Sequence, residues 1–595
     1  MYKPIAVAFA AGLGFAGTNP VTAVNKPVKN PKPNIILILT DDAGSGDFGF
    51  KGNSMVKTPN LDHLASRSTR FTNFYVSPVC APTRSSILTG NYAETTGIYD
   101  TYNGGAIMAT EEITIAEILH KNAYQTGIFG KWHLGDNYPY RPIDQGFSES
   151  FVFKGGGLGQ PGDYDNYFAG DSAYFNPVMY RNEKKVSTKG YCSDIFTNEA
   201  IGFVRNNKKK PFFAFLAFNA PHTPLQVPEQ YSSIYKDLTL GSFKNNMNKM
   251  NPVMTNKELE DAKKVYGMMS NIDENIGRLI KELENLDLMK NTAIIFLSDN
   301  GPQQNRYVMG LRGRKGMVYQ GGIKSPCIIH YPGIFPENKE ISTTVAHIDL
   351  LPTILDFCNI KKGDNPPIDG RSMMPLLTNN DKDFNKRTLF FEWGRGFPIP
   401  FQNFAATNGH FKLVGHTYTL TGLDGFELFD LTTDPEESEN VINKNKAVAL
   451  TLKKEMEAWY YQTARHPNNR NVHPAIVGTK HENPVILNRN DAKGSPGIWT
   501  EEETFGYWDI RVAESGTYTV KTRFIKEIKE PGTLYLKLYP FQYATTSTQK
   551  MDTISIKNIY LDANDYRLEI YFQTKSGQCI FPLYTSVERI DKFSN

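Results

Sequence analysis

Two pairs of oxygen-donor side chains follow apolar runs of the sequence. Asp41 and Asp42 come directly after the run at residues 34–40, and Asp299 and Asn300 come after the run at residues 292–298. No cysteine or histidine stands near them at a spacing typical of a zinc site. Carboxylate and amide oxygens are the ligands that hard cations such as Ca²⁺ and Mg²⁺ prefer. The two pairs therefore predict a divalent-cation site.

Cys80 is the candidate nucleophile. Pro82 follows it two residues later and is suited to the first turn of a helix, so Cys80 is expected at a helix N-terminus. The helix dipole favours negative charge there, and Arg84, four residues on, would lie on the same face. A buried cysteine that only begins a helix would give the same pattern, so both interpretations stand at this point.

Four apolar runs must position these side chains. They span residues 34–40, 124–130, 212–218 and 292–298, with helical periodicity at 114–122 and 265–288. Such uninterrupted runs are typical of parallel strands that are buried on both faces. The alternation of strand and helix predicts an open α/β sheet, in which ligands bind at the carboxyl ends of the strands. That edge would also collect Lys131, His133 and His222.

The chain beyond about residue 380 has a different pattern. Short alternating segments and a helix at 446–461 predict a smaller α+β subdomain over 381–465, after a catalytic α/β domain over 34–380. Residues 466–498, which are rich in Asn, Pro and His, are interpreted as a linker. Alternating segments from residue 507 onward then predict an appended β-sandwich over 499–595.

Composition and the N-terminus exclude several classes of protein. The chain has 595 residues, a formal net charge of +3 and 21% charged residues, so it lacks the charge pattern of a nucleic-acid-binding protein. Residues 1–23 combine one lysine with a short apolar run and end in small residues, which predicts a signal peptide, and residues 24–33 are interpreted as a linker. No later run is long enough to span a membrane. We expect an exported protein.

The cysteine count does not predict a disulfide framework. The chain has five cysteines, which are too few and too widely spaced for one. The sequence leaves open whether any pair forms among the four other than Cys80, which are Cys192, Cys327, Cys358 and Cys579.

The blocks around the candidate residues resemble one family, in order along the chain. Residues 80–84 have the form Cys-x-Pro-x-Arg and continue to Leu88-Thr89-Gly90, which resembles the signature of the formylglycine-dependent (type I) sulfatases. Further blocks similar to that family lie at 130–135, 219–222, 298–301, 311–316 and 434–440. The resemblance covers about residues 33–460. It implies an alkaline-phosphatase-like fold with a sandwiched mixed sheet, and arylsulfatase-like hydrolysis of a sulfate ester.

The same resemblance implies a role for each candidate. A formylglycine-generating or anaerobic sulfatase-maturing enzyme would oxidise Cys80 to Cα-formylglycine, whose geminal diol would attack sulfur. The metal, expected to be Ca²⁺ with Mg²⁺ left open, would be held by Asp41, Asp42, Asp299, Asn300 and the modified Cys80. Charge on the sulfuryl group would be neutralised by Arg84, Lys131 and Lys315. The base that releases sulfate would be His133, and the acid that protonates the leaving alcohol would be His222.

The expected substrate is a sulfated sugar. An exported sulfatase with an appended β-sandwich resembles bacterial enzymes that desulfate polysaccharide fragments, so we expect the periplasm of a Gram-negative cell. We expect exo-action on a sulfated oligosaccharide that carries a galactose-type or hexosamine sulfate. Candidate sugar contacts near the motif loops are Tyr99, Asp100, Arg312, Glu392, Trp393 and Arg395. The β-sandwich is expected to pack against the catalytic domain rather than to bind glycan.

Two other functions are compatible with these residues. Members of the same fold that use one metal and this nucleophile include phosphodiester and phosphonate hydrolases, which relative rates on sulfate and phosphate esters would distinguish. The non-enzymatic alternative is a glycan-binding protein with an unmodified, idle Cys80. A pure binding protein, however, has no need of a metal cluster and two histidines at strand ends.

Overall fold

An eleven-stranded mixed sheet is the largest element of the computed structural model, which describes residues 32–592 except 244–247, 362–366, 381–383, 385–386 and 418–420. In chain order its strands are β1 (Asn34–Thr40), β2 (Thr69–Tyr75), β3 (Gln125–Lys131), β4 (Glu149–Phe153), β5 (Val178–Arg181), β6 (Lys184–Ser187), β7 (Phe212–Ala217), β8 (Thr292–Ser298), β9 (Lys324–His330), β10 (Lys339–Ile341) and β11 (Val345–Ala346). The four predicted strands are thus present, two of them with the predicted bounds.

The four apolar runs lie side by side in the centre of this sheet. The strand order is β10-β2-β9-β8-β1-β7-β3-β4-β5-β6, and β11 pairs with β2. Strands β8, β1, β7, β3 and β4 are parallel to one another, whereas β9 pairs antiparallel with β8 and β5 pairs antiparallel with β4. Leu39 of β1 is level with Ala217 of β7 and Leu297 of β8, so three strands end at one edge.

Helices of the α/β region cover both faces of the sheet. The helices of the described residues are α1 (Pro59–Ser66), α2 (Cys80–Thr89), α3 (Ile115–Lys121), α4 (Cys192–Asn207), α5 (Glu229–Ser232), α6 (Asn256–Asn285), α7 (Gln320–Ile323), α8 (Leu350–Phe357), α9 (Met374–Leu377), α10 (Lys446–Ala464) and α11 (Pro467–Arg470). Leu37 and Leu39 of β1 pack in a core with α2, α3 and α8, while Ile36 and Ile38 pack in another with α4 and α6. This two-sided burial explains why β1 is apolar at successive positions.

Helix α6 begins nine residues before the predicted periodic segment, at Asn256. The reason is a capping box: the Glu258 backbone N–H donates to the Thr255 hydroxyl at 3.2 Å, and the Thr255 N–H donates to the Glu258 carboxylate at 2.7 Å. These bonds satisfy N–H groups that a helix start leaves free. The polar first turns of α6 therefore remain helical, although they contribute few apolar side chains to the face of the helix that packs on the sheet.

A four-stranded antiparallel sheet follows the main sheet. It contains β12 (Leu389–Glu392), β13 (Phe404–Thr407), β14 (Phe411–Gly415) and β15 (Phe426–Asp430) in that order. Leu452, Met456 and Trp459 of α10 pack on it in a core that also includes Tyr75 of β2. This sheet and helix correspond to the predicted α+β segment, and their core is continuous with residues of the main sheet.

The C-terminal β-module, residues 475–589, consists of two sheets that share one core. Its strands are β16 (Ala475–Val477), β17 (Val485–Asn488), β18 (Lys493–Gly494), β19 (Gly506–Val512), β20 (Gly516–Ile528), β21 (Gly532–Leu538), β22 (Phe541–Ser547), β23 (Met551–Leu561), β24 (Asp565–Thr574), β25 (Cys579–Ile580) and β26 (Tyr584–Arg589). One sheet has the order β16-β19-β24-β21-β22, with β18 and β25 at its margin, and the other β17-β26-β20-β23. All pairings are antiparallel except β16 with β19.

The interpretation of residues 466–498 as a linker was wrong, because α11, β16, β17 and β18 lie within it. The polar composition hid these elements. Arg489, for example, is buried and donates to the backbone carbonyls of Phe581, Pro582, Ile498 and Glu501. A guanidinium whose three nitrogens all donate to carbonyl groups can be buried without a carboxylate partner.

The predicted signal peptide at 1–23 and most of the linker at 24–33 lie outside the described residues. Among the residues that the structure describes, none of the helices is both long enough and apolar enough to cross a membrane.

Candidate active site

The carboxyl ends of the central strands bring the predicted site residues together. Asp41 and Asp42 follow β1, and Asp299 and Asn300 follow β8, its parallel neighbour. Lys131 ends β3, and the Asp42 backbone N–H donates to the Asp299 carboxylate at 3.1 Å. Because parallel neighbours end at the same edge, a short polar segment after each strand is enough to build one cluster.

Three cations pair with the three carboxylates of this cluster. The Lys131 ammonium lies 2.6 Å from Asp41 Oδ2, the Lys315 ammonium 2.6 Å from Asp42 Oδ1, and the Arg84 guanidinium 2.9 Å from Asp299 Oδ2. Burial alone would raise the pKa of Asp41, but the charges of Lys131, Arg84 and Lys315 hold that pKa well below its usual value. Asp41 is therefore a carboxylate at neutral pH.

Three buried oxygen atoms of the cluster have no hydrogen-bond partner among the described residues: Asp41 Oδ1, Asp42 Oδ2 and Asn300 Oδ1. Both carboxylate oxygens of Asp299 are occupied, by Arg84 and by the Asp42 backbone. Leaving buried acceptors without a partner is costly, and a bound cation would satisfy them. The donor set fits a hard divalent cation. Asp41, Asp42 and His222 also offer ligand atoms within 4.8 Å of one another, so this group could hold a metal ion.

Cys80 is the first residue of α2, is 2% exposed, and lies beside His133. Its Sγ atom is 3.4 Å from His133 Nδ1, while His133 Nε2 lies 2.8 Å from the Thr101 carbonyl oxygen. A carbonyl can only accept a hydrogen bond, so Nε2 carries the hydrogen and the lone pair of Nδ1 faces Sγ. His133 therefore presents a proton acceptor to the atom at residue 80.

The thiol of Cys80 is not an activated thiolate. Burial raises its pKa, although the positive charges of Lys131 and Lys315 act in the opposite direction. Burial also lowers the pKa of His133 well below its usual value, and the charge of Lys131 adds to that effect. A neutral thiol beside a neutral imidazole differs from the ion pair of a thiol hydrolase.

His222 approaches the cluster from the segment after β7. Its Nδ1–H donates to the Thr223 carbonyl at 2.6 Å, which leaves Nε2 facing Asp42 Oδ2 at 3.7 Å. Burial lowers the pKa of His222 to about 4, and the positive charge of Lys315 contributes. His222 thus lies on the Lys315 and Asp42 side of the cluster, whereas His133 lies on the Cys80 side.

Two residues of the site have a backbone conformation that is unfavourable for residues other than glycine. Asp42 and His133 both have a φ of +65°, in the left-handed region. Non-glycine residues in this region cost free energy and persist where their surroundings enforce them. At Asp42 the enforcing contact is Arg306, whose guanidinium donates to the Asp42 carbonyl at 2.7 Å and pairs with Asp47 at 2.7 Å. Sequence reasoning missed Arg306 and Asp47, because neither lies at a strand end or in a recognised block.

Residues 33–360, more than half of the chain, match the sequence model of the sulfatase family. The chain belongs to the sulfatase family. Residues 313–468 also match the C-terminal region of N-sulphoglucosamine sulphohydrolase. The sulfatase is accordingly a sulfuric ester hydrolase, as its sequence resemblance predicted.

Named relatives of the sulfatase act on sugar sulfates. It is 29% identical to the ulvan-active sulfatase of Formosa agariphila over 77% of this chain and 85% of that protein. It is 28% identical to the mouse N-acetylgalactosamine-6-sulfatase over 69% of this chain and 76% of that protein. The solved structure of Ps i-CgsB in complex with k-i-k-neocarrahexaose superposes with a TM-score of 0.63 and 31% identity, covering 73% of this chain and 94% of that one. The expected fold class is confirmed.

The predicted sugar contacts divide into two groups. Asp100, Glu392 and Arg312 are engaged inside the protein: Asp100 is fully buried and accepts from Arg395 at 2.7 Å, Glu392 is 3% exposed, and Arg312 pairs with Glu427 at 3.2 Å. The other three predicted contacts, Tyr99, Trp393 and Arg395, are more accessible. The side chain of Arg395 is 50% exposed, and its guanidinium lies 4.9 Å from the ring of Trp393, while the Tyr99 ring lies 5.6 Å from that of Phe397.

Glu392 is expected to make the stability of the sulfatase depend on pH. Burial raises the pKa of Glu392 well above its usual value, and the charges of Glu94 and Asp100 raise it further. Burial likewise raises the pKa of Glu94 to about 8. Because the folded-state pKa exceeds the unfolded one, the folded protein favours protonated Glu392, and this contribution to stability is lost as the pH rises from about 4.5 towards the folded-state value.

Glu392→Gln is therefore expected to gain stability relative to the wild-type protein as the pH rises from 5 to 8. The gain is at most about 1.4 kcal/mol per pH unit, since one pKa unit corresponds to that free energy. Urea unfolding at several pH values measures it. Glu527→Gln, at an exposed position of β20, is the control and should follow the wild-type profile. Parallel profiles for Glu392→Gln and the wild-type protein would contradict the prediction.

Proposed function

We propose that the protein removes a sulfate ester from the end of a sulfated oligosaccharide, with a formylglycine made from Cys80 and a divalent cation, Ca²⁺ in the first instance. One observation carries this proposal: the buried Cys80 Sγ lies 3.4 Å from a histidine lone pair, beside a cluster of paired charges that keeps three oxygen acceptors free. The family membership of the chain supports the same assignment.

Each residue around Cys80 has a separate role in the proposed reaction. As a hydrated aldehyde, residue 80 would supply one hydroxyl to attack sulfur and a second to release sulfate. Sγ occupies the position of such a hydroxyl, so His133 Nδ1 is placed to accept its proton during release. Arg84, Lys131 and Lys315 hold positive charge around the transferring group. His222 would take up a proton at Nε2, which faces the Asp42 carboxylate, and pass it to the leaving alcohol.

Asp41, Asp42 and Asn300 would hold the cation, because their free oxygens are its natural ligands. Asp299 would complete the set, since each of its oxygens accepts one hydrogen bond and keeps a second lone pair. When bound, the ion lowers the proton affinity of an attached oxygen and withdraws charge from the ester. The buried acceptors also link the ion to folding, since a group that binds only the folded state stabilises it.

Removal of divalent cations is expected to reduce both activity and stability. At a free Ca²⁺ concentration about 100 times the dissociation constant, the ion adds about 2.7 kcal/mol to the free energy of unfolding. Treatment with EDTA should therefore lower Tm and turnover, and Ca²⁺ should restore both, with Mg²⁺ as the comparison. Asn300→Ala, which lacks one free oxygen, should need more Ca²⁺ for the same recovery. Full activity and an unchanged Tm in protein shown to be metal-free would contradict this.

The state of residue 80 tests the nucleophile. Mass spectrometry of the tryptic peptide 71–84, from protein made in its native host, should show an aldehyde in place of the thiol, which would require a formylglycine-generating or anaerobic sulfatase-maturing enzyme in that host. The same preparation should hydrolyse 4-nitrophenyl sulfate faster than 4-nitrophenyl phosphate. A retained thiol together with absent turnover would favour a glycan-binding protein, and a preference for phosphate would favour a phosphodiester or phosphonate hydrolase.

The depth of the site supports exo-action. Cys80, Lys131 and His133 are each 2% exposed or less, so the ester must protrude from the glycan to reach them, as a substituent on a terminal sugar does. Arg395, Trp393 and Tyr99 are the accessible candidates for contact with a galactose-type or hexosamine sulfate. Oligosaccharides sulfated only at the non-reducing end should be desulfated, whereas those sulfated only at internal sugars should not.

We also propose that the protein is exported, because its N-terminal sequence resembles a signal peptide. Residues 1–23 have the charge, apolar run and small residues of a signal peptide. The mature protein is expected in the periplasm of its Gram-negative host, and cell fractionation followed by N-terminal sequencing tests both the compartment and the cleavage site.

A further inference from the structure

A tight turn next to the active site has an unusual backbone. In the loop of residues 99–105, Asn103 and Gly104 have φ values of +57° and +72°. The Gly105 N–H donates to the Tyr102 carbonyl at 3.1 Å and closes the turn, and the Tyr99 N–H donates to the Gly105 carbonyl at 3.0 Å. Two successive left-handed residues are typical of a type I′ turn, for which Asn-Gly is a favoured pair. The loop therefore has a defined conformation.

The tip of this turn binds the C-terminal β-module. The Asn103 side-chain oxygen accepts a hydrogen bond from the Gly494 backbone N–H at 2.9 Å, and the Gly104 N–H donates to the Asn490 carbonyl at 3.4 Å. The ring of Tyr102 lies 5.1 Å from that of Trp499. A β-carbon on Gly104 would come within 2.6 Å of the Lys493 side chain, so the two surfaces are in close contact.

The segment of the module that contacts the turn, residues 490–499, is itself held in place by the rest of the module. Asn490 and Trp499 flank β18, which pairs with β19 of the larger C-terminal sheet. Arg489, next to Asn490, is fully buried and donates to carbonyl groups of the module. The segment that receives the turn is therefore part of the module's core rather than a loose connection.

The other side of the same loop determines the orientation of His133. The Thr101 carbonyl accepts from His133 Nε2 at 2.8 Å, and the opposite ring nitrogen faces Cys80 Sγ at 3.4 Å. Gly156 packs so closely that a β-carbon there would lie 2.7 Å from His133 Nε2. The Thr101 carbonyl is one residue from the Tyr102 that packs on Trp499, so a displaced turn would displace this acceptor.

We propose that the C-terminal β-module is a working part of the catalytic centre: through Asn103 and Tyr102 it positions the Thr101 carbonyl, which keeps the Nδ1 lone pair of His133 directed at residue 80. Asn103, Tyr102 and Trp499 are positioning residues that act through His133. Arg395 holds the loop from a second direction, because its guanidinium bonds to Asp100 at 2.7 Å and stacks 4.4 Å from the Tyr102 ring. The proposal rests on the role of His133 in releasing sulfate.

The proposed role predicts which step slows when the anchor is removed. Formation of the sulfated enzyme intermediate uses the cations and His222, whereas its breakdown needs a base at His133 Nδ1. A general base contributes about 10²–10⁴-fold to its step, and a poorly oriented one loses part of that factor. When the second of two covalent steps becomes rate-limiting, kcat and KM fall together, kcat/KM is unchanged, and a burst of the first product precedes the steady state.

Asn103→Gly is the informative variant, because it removes the acceptor for Gly494 while glycine tolerates the left-handed backbone. With 4-nitrophenyl sulfate we expect kcat and KM to fall together, by about tenfold, and a burst of nitrophenol of up to one per active site. Asn103→Asp keeps an oxygen acceptor at the same position and should restore kcat to near the wild-type value. Trp499→Ala, with Trp499→Phe as its matched control, removes the same anchor from the module side.

The outcomes separate this inference from the proposed function. If the wild-type protein turns over and Asn103→Gly and Trp499→Ala keep its kcat, the positioning role is wrong and the proposed function stands. The same conclusion follows if both variants lose kcat and kcat/KM by the same factor without a burst. If the wild-type protein has no turnover, both fail. An equal loss in Asn103→Gly and Asn103→Asp would also overturn the proposal, since the acceptor would then be irrelevant.

Discussion

Cys80→Ala is expected to lower kcat for 4-nitrophenyl sulfate by at least about 10⁴-fold, because removal of the group that forms the covalent intermediate leaves only binding and charge stabilisation. The fold should change little. Cys80 begins α2 without a side-chain cap, and its thiol makes only a weak hydrogen bond to His133, at 3.4 Å. Initial rates under saturating substrate and a thermal melt of the same preparation measure the two effects.

Cys327→Ala is the matched control for that variant. Cys327 is also buried, at 1% exposed, but it belongs to the apolar core of β9, and the site lies elsewhere. Loss of its thiol should reduce stability while kcat per folded molecule stays within about twofold, since core truncations act through packing. Retention of more than a small fraction of wild-type kcat by Cys80→Ala would contradict the assignment of the nucleophile.

Arg84→Met is expected to be strongly destabilising. The Arg84 guanidinium is 1% exposed, lies 2.9 Å from Asp299 and 3.8 Å from Asp41, and donates to the Lys131 carbonyl. Methionine keeps much of the volume but leaves Asp299 without its cation. Breaking a buried ion pair by removal of one partner costs about 3–5 kcal/mol, and urea unfolding at pH 7 measures this loss.

The exposed pair of Arg511 and Asp565 provides the comparison. Its guanidinium and carboxylate are joined by two hydrogen bonds, at 2.6 and 2.9 Å, but both side chains are more than half exposed. Arg511→Met should therefore cost at most about 1 kcal/mol, because solvent screens the pair. Similar losses for the two variants would mean that burial does not determine the effect. Arg84→Met should also lose activity in protein that remains folded, whereas Arg511→Met should not.

The central sheet and the cluster at its edge could be predicted because two simple regularities apply to them. Strands formed by apolar runs such as residues 34–40 and 292–298 must be buried on both faces. Parallel neighbouring strands also end at a common edge of the sheet. Asp41, Asp42, Asp299 and Lys131 therefore meet wherever those strands pair. No side-chain detail was needed for that inference.

The substrate contacts were harder to predict because proximity in sequence to a motif says nothing about the direction of a side chain. Glu392 ends β12 and is buried, and Asp100 is buried and accepts a hydrogen bond from Arg395. The supports of the site were missed for a related reason. Arg306 acts on Asp42 from a loop 264 residues away in sequence, and Thr101 acts through its backbone carbonyl, for which side-chain type carries no signal.

The contact between the 99–105 turn and the C-terminal β-module has a consequence for folding order. Asn103 and Gly494 are 391 residues apart in sequence, and the segment that contains Asn490 follows β17, which pairs with β26. This contact forms only once the module has assembled, and the module needs β26, near the end of the described residues, to pair with β17. The α/β sheet can therefore complete its core while His133 still lacks a fixed acceptor. Recovery of the native sheet during refolding should precede recovery of catalysis, with the chain passing through a folded but inactive enzyme.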